Sequence, residues 1–182
     1  MEKFKLNKTI SDYTYLIYGL LEHVDDLRHL SGNGNAVGVR NVVESLNLLP
    51  QSWKQANNPG MPNATVRDNN GNIINIFIRY NYLTFVIDFY LGGTTKHEDN
   101  KIYSDNFSTK LCEELFSNLA VPLHYAVKSV GLFRSSNQSI TYRGDNYCVK
   151  SSDCLNNMTL SEIYNTCSAC TENDACSVVF TF

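Results

Sequence analysis

Six cysteines, Cys112, Cys148, Cys154, Cys167, Cys170 and Cys176, crowd into the C-terminal part of a 182-residue chain, and none precedes Cys112. No other feature constrains the fold as strongly, because cysteines packed this closely bind metal, carry redox chemistry or cross-link. Zinc would use Cys167 and Cys170 as one knuckle with Cys148 and Cys154 as the other, but the second pair is spaced too widely for a knuckle. No histidine stands beside any of them at metal-site spacing. A redox Cys-x-x-Cys sits between a strand and a helix of a βαβ unit. Here Cys167-Ser-Ala-Cys170 lies in a polar segment before the last strand-like run. A disulfide framework in an oxidising compartment fits best. Export is then expected, with a signal already removed from a longer precursor, because Met1 to Lys8 has no apolar signal core.

The rest of the composition narrows the class. A hydrophobic share of 43% with 12% aromatics supports one ordinary domain, residues 1–182, with a real core. The net charge of -3, from 15 basic and 18 acidic residues, provides no basic field for nucleic acid or an anionic membrane. No run of apolar residues is long enough to span a bilayer.

Periodicity places the elements. Leu6, Ile10, Tyr13, Ile17, Leu20, Val24 and Leu27 alternate in steps of four and three, which predicts one long helix over residues 1–30 with an apolar stripe. Tyr15, Leu16, Tyr18 and Leu21 between them are too apolar for a slim coiled coil, so the helix is expected to bury against a sheet. Ser31 to Asn35 stops it. A connecting region, 36–62, opens with a short helix on Val39, Val42, Val43, Leu46 and Leu49, closed by Pro50, and continues as an irregular polar stretch around Trp53, the only tryptophan.

Residues 63–182 read as a sheet with a cysteine-bearing end. Asp68-Asn-Asn-Gly71 is a tight-turn signal between Ala64–Arg67 and Ile73–Tyr80, predicting a hairpin. Leu83 to Leu91 alternates, with Leu83, Phe85, Ile87 and Phe89 on the face expected to meet the long helix. Gly92 to Asn106 reads as a polar loop. Leu111, Leu115 and Leu119 mark a helix from about Ser108 that carries Cys112. Strands follow over Tyr125–Phe133 and Ser139–Arg143. Thr159-Leu-Ser-Glu162 has capping-box spacing and opens a last helix, and Ser177–Phe182 is a closing strand.

This order resembles a type IV pilin, in particular the type IVb branch of bundle-forming and toxin-coregulated pilins. Three stretches carry the resemblance. Val39 to Trp53 is similar to the short helix that ends in leucine and proline before the sheet. Lys110-Leu-Cys112-Glu-Glu-Leu115 is similar to the helix bearing the family's first disulfide cysteine. Thr159 to Cys167, with the aromatic C-terminus beyond, is similar to the helix, second cysteine and closing strand. The resemblance implies an α+β head, a long N-terminal helix packed on an antiparallel sheet with a disulfide-bonded C-terminal region. It also implies a bridge from Cys112 to Cys167. Cys148 with Cys154 and Cys170 with Cys176 then close short local loops, and a bridge from Cys112 to Cys176 is the main competitor. The family's N-terminal hydrophobic segment with its glutamate does not occur in this sequence, and three potential bridges exceed the usual one.

The implied function is structural: a subunit, by its cysteine load a minor pilin, acting in pilus assembly or adhesion. Its partners would be other pilin subunits, or a host-cell receptor, with membrane contact only through an N-terminal segment preceding this sequence. It would pass from inner membrane and periplasm to an extracellular pilus. The apolar stripe from Leu6 to Leu27 would dock the sheet or neighbouring subunits. A secreted lectin-like adhesin and a type II secretion pseudopilin are the alternatives.

No catalytic residues, cofactor or metal are expected. Glu22, His23, Asp25, Asp26 and His29 could in part share a helix face around a metal, yet a solvated face opposite the stripe explains them. His97-Glu98-Asp99 and His124 have no nucleophile motif nearby, and neither a Gly-x-Ser-x-Gly elbow nor a phosphate loop occurs. Sequons at Asn7, Asn63, Asn106, Asn137 and Asn157 read as surface positions.

Overall fold

A computed structural model describes residues 2–30, 36–79, 82–92, 95–98, 101–104, 108–135, 139–150, 153–170 and 174–182. The fold is α+β with antiparallel strand pairing and three disulfides. Two compact units make it up: Met1–Ile87 together with Phe182, and Asp88–Thr181.

The first unit begins with α1, Glu2–Leu21. Of the predicted stripe, Tyr13, Ile17, Leu20 and Leu27 are buried, whereas Leu6, Ile10 and Val24 are half-buried. Leu16, Thr9 and Asp12 are buried as well, so the face in contact with the core is wider than the apolar stripe. The helix is not continuous to residue 30. At Glu22 and His23 the backbone tightens, with the His23 amide bonded to the Leu20 carbonyl at 2.9 Å, three residues back, and α2 resumes over Val24–Arg28. Neither of these two residues is buried, so little packing opposes the break.

Next come β1, Val37–Gly38, and α3, Arg40–Ser45. Helix α3 ends earlier than Pro50, because Asn47 takes a left-handed conformation (φ 56°) and stops it. Leu48 then packs on Gly19 of α1, where a Cβ would stand 2.5 Å from the leucine Cδ2. Gly38 is likewise required. A Cβ there would meet the Pro62 carbonyl oxygen at 2.4 Å, and β1 could not approach that segment to pair with β4.

Strands β2, Lys54–Gln55, β3, Thr65–Arg67, and β4, Ile73–Arg79, pair antiparallel in sequence order. The predicted hairpin is present, with Thr65 opposite Asn75 and Arg67 opposite Ile73. Strand β5, Thr84–Tyr90, lies beside β4. Residues 73–78 and 84–87 are buried without alternation, so both faces of these strands are covered. Leu83 does not join the buried face: it is 46% exposed at φ 46°. The C-terminal residue closes the unit, as Phe85 and Phe182 exchange backbone hydrogen bonds at 3.3 and 2.9 Å.

In the second unit, the expected loop after Gly92 holds a strand pair instead: β6, Thr95–Glu98, and β7, Lys101–Ser104. Ser108 caps α4, Thr109–Leu115, by accepting the Leu111 amide, and a wider turn over Phe116–Ala120 continues it. Strands β8, Ser129–Arg134, and β9, Ile140–Arg143, pair antiparallel. Helix α5, Leu160–Ser168, follows, and β10, Cys176–Thr181, runs antiparallel to β8 from Cys176–Arg134 to Thr181–Ser129. Phe89 and Phe180 meet edge to face, centroids 5.8 Å apart, inside this unit.

Candidate functional site

The cysteines sit where the helices and the last strand bring them together. α4 places Cys112 and α5 places Cys167 on inward faces, both fully buried, and a disulfide joins them across 55 residues of chain with Cα atoms 5.7 Å apart. Cys148–Cys154 and Cys170–Cys176 are the other bridges, each closing a short loop. No free cysteine is found among the described residues. α5 holds its cysteine in place through its own start: the Thr159 hydroxyl accepts the Glu162 amide at 3.3 Å, and the Glu162 carboxylate takes the Thr159 amide and hydroxyl at 2.7 Å each. Those bonds hold the Glu162 carboxyl below its ordinary range. At the other end of α5, Tyr142 and Thr166 share a buried hydroxyl pair at 2.7 Å.

On the opposite side from its buried stripe, α1 carries a second set of aromatics. Phe4, Tyr15 and Tyr18 are 76%, 56% and 44% exposed. At roughly 100° per residue they fall within about a sixth of a turn of one another. They share that side with the exposed polar residues Asn7, Lys8 and Ser11, and the Tyr15 hydroxyl donates to the Asn47 carbonyl at 3.3 Å.

A polar hub beside α1 is the feature sequence reasoning did not find. Asp68 opens the predicted turn, and its buried carboxylate also gathers four donors at 2.8 Å: the Asn70 and Asn72 amides, the Asn72 side chain and the Tyr13 hydroxyl. Asn70 continues the contact by donating to Thr9 at 2.6 Å, and Lys8 pairs with Asp12 alongside. Burial first, and then the Asp68 charge, push the Tyr13 hydroxyl well above its usual titration range, so it stays a donor. A cavity of about 160 Å³ lies over the hub, lined by Lys5, Lys8 and Asn69 among others. The signal was a buried-stripe tyrosine, which needs a partner for its hydroxyl.

The polar residues near residue 25 stay scattered: Arg28 pairs with Asp25, and the His29 ring meets the Asp25 carbonyl at 2.6 Å. Among the described residues no three His, Cys, Asp or Glu side chains gather as a metal site would require, and no helix is long and apolar enough to cross a membrane. His124 does find a carboxylate, Asp145, at 2.7 Å, which in turn accepts from Asn156 at 3.0 Å. The side chains of His97, Glu98 and Asp99 lie outside the described residues. Of the sequons, Asn7 and Asn157 are exposed, Asn63 uses its side chain to hold Gly38 at 3.2 Å, and Asn106 and Asn137 lie outside the described residues.

Comparison with protein-family models, with curated protein sequences and with solved structures gave no match.

Proposed function

We propose that the chain is a structural subunit of a bacterial type IV pilus, a minor pilin acting in assembly or adhesion, and not an enzyme. The observation that carries this reading is α1, whose one side is buried while Phe4, Tyr15 and Tyr18 stay open on the other. A helix buried on one side and bearing exposed aromatics on the other suits a subunit that docks its own head with one face and neighbouring subunits with the other. The Cys112–Cys167 bridge and the closing strand β10 support the same reading, since the resemblance implies both. Three disulfides suit life outside the cytoplasm, first in the periplasm and then on an extracellular filament. In this reading the partners are other pilin subunits, with a host receptor as a further partner, and the work done is burial.

A photo-reactive phenylalanine analogue placed at Tyr15 or Tyr18 tests it in the native host. The expected result is a cross-link to another pilin subunit in assembled filaments, and none from Tyr164, which is exposed on α5. Unchanged pili after deletion of the gene, together with no pilin cross-link from either α1 position, would overturn the reading.

A further inference from the structure

Two of the three bridges close loops of the same size and differ in access. Cys148–Cys154 and Cys170–Cys176 each have a sequence separation of 6, so closing them restricts the unfolded chain to the same degree. Cys170 and Cys176 are only 4% and 1% exposed. Cys176 lies inside β10, opposite Arg134 of β8, and its carbonyl accepts the Leu91 amide at 3.0 Å, so an attacking sulfur reaches that bridge only after the strand has moved. Cys112 on α4 and Cys167 on α5 are fully buried. Cys148 and Cys154 are both half-buried, and Tyr147, Val149, Lys150 and Asp153 around them are exposed.

The accessible bridge holds the outer side of β9. This strand is the last of its sheet and pairs with β8 on its inner side. On the other side the Arg143 amide donates to the Asp153 carbonyl at 2.7 Å, and Arg143 and Cys154 stand opposite one another as a single parallel bridge. Beyond Cys154 the chain is fastened by Asn156, whose side chain donates to the Asp145 carboxylate at 3.0 Å. At the other end of the loop the Cys148 amide reaches the Asp145 carbonyl at 3.4 Å. The disulfide ties these two ends together and keeps Asp153 against a strand edge that would otherwise present an unpaired amide.

We propose that Cys148–Cys154 is a thiol-exchange site: a dithiol opens it in the folded protein while the other two bridges stay closed, and its opening releases Asp153 from the edge of β9. One thiolate of the dithiol attacks a sulfur of the bridge, forming a mixed disulfide as the other cysteine leaves and takes a proton. The second thiol of the dithiol, as thiolate, then displaces the remaining cysteine, which is protonated in turn. Two electrons and two protons end on Cys148 and Cys154, and the dithiol departs as its own disulfide. Exchange requires access to the sulfur under attack, so exposed bridges are the labile ones and buried ones wait for local unfolding. The site does not rest on the pilus reading; either can fail without the other.

The folded protein is treated with graded dithiothreitol in native buffer, quenched by alkylation and mapped by peptide. Cys148 and Cys154 should become alkylated at a dithiothreitol concentration about tenfold below that which opens either other bridge. In the protein opened at this bridge alone, hydrogen exchange should rise in the peptide containing Arg143 and stay unchanged in α4 and α5. The double variant Cys148→Ser, Cys154→Ser should show the raised Arg143 exchange without any dithiol. Opening of Cys170–Cys176 or Cys112–Cys167 in step with Cys148–Cys154 would overturn the site. An Arg143 peptide unchanged after the bridge has opened would overturn its hold on the edge of β9.

Discussion

The two units of this molecule solve the same problem by different chemistry. The first, Met1–Ile87 with Phe182, contains no cysteine and is held by burial and by the hydrogen bonds that converge on Asp68. The second, Asp88–Thr181, contains all six cysteines and three bridges. A buried carboxylate hub stabilises the folded state through specific polar contacts, and its removal strands every donor around it. A disulfide acts mainly on the unfolded chain, and its effect grows with the loop it closes. The difference teaches that one sequence can hold a disulfide-bonded region and a purely non-covalent one, and that each fails under a different insult.

The largest effect should come from the long bridge. Replacing Cys112 and Cys167 together by serine should cost the second unit about 4 kcal/mol in the loop-entropy picture, because 55 residues separate them in sequence. Denaturant unfolding followed on the second unit checks it. The same pair of substitutions should leave Trp53 emission, a probe of the first unit, unchanged in native buffer.

In the first unit, Asp68→Ala should cost about 3 kcal/mol, since the Tyr13 hydroxyl and two loop amides lose a charged, buried acceptor. Tyr13→Phe, which removes one donor and leaves the carboxylate well supplied, should cost about 1 kcal/mol. Chemical denaturation followed by Trp53 fluorescence reads both, and equal losses in the two variants would break the idea of a hub.

The smallest effect lies at the start of α5. The Glu162 carboxyl is held below its ordinary range by the Thr159 amide and hydroxyl. Its contribution to stability is therefore present above the carboxylate's unfolded pKa of about 4.3 and is lost as pH falls through the lower folded value. Melting of Glu162→Gln alongside the native chain should show a small deficit at neutral pH that closes in strong acid. A deficit that widened in acid would contradict the cap.

Much of this was legible because it is local. The helix start near Ser108, the Thr159 capping box and the Asp68–Gly71 turn depend on residues within a few positions of one another, and each appears where the sequence places it. What depends on tertiary neighbours was not legible. Thr9 and Asp12 look like solvent residues in a helical pattern, yet both are buried beside the Asp68 hub. The break at Glu22 and His23 leaves the apolar spacing intact and so gives no periodic sign. Leu83 continues the alternation of Phe85, Ile87 and Phe89, yet it precedes β5 and takes a left-handed conformation, which the spacing does not reveal.

Hydrogen exchange with and without reductant, in mild denaturant, tests the contrast most directly. Reduction should raise exchange in α4, α5, β8 and β10, while Tyr13–Leu20 of α1 and Ile73–Ile78 of β4 keep their protection. Equal loss across both sets of segments, or unchanged protection of α4 and α5 once the bridges are open, would contradict it.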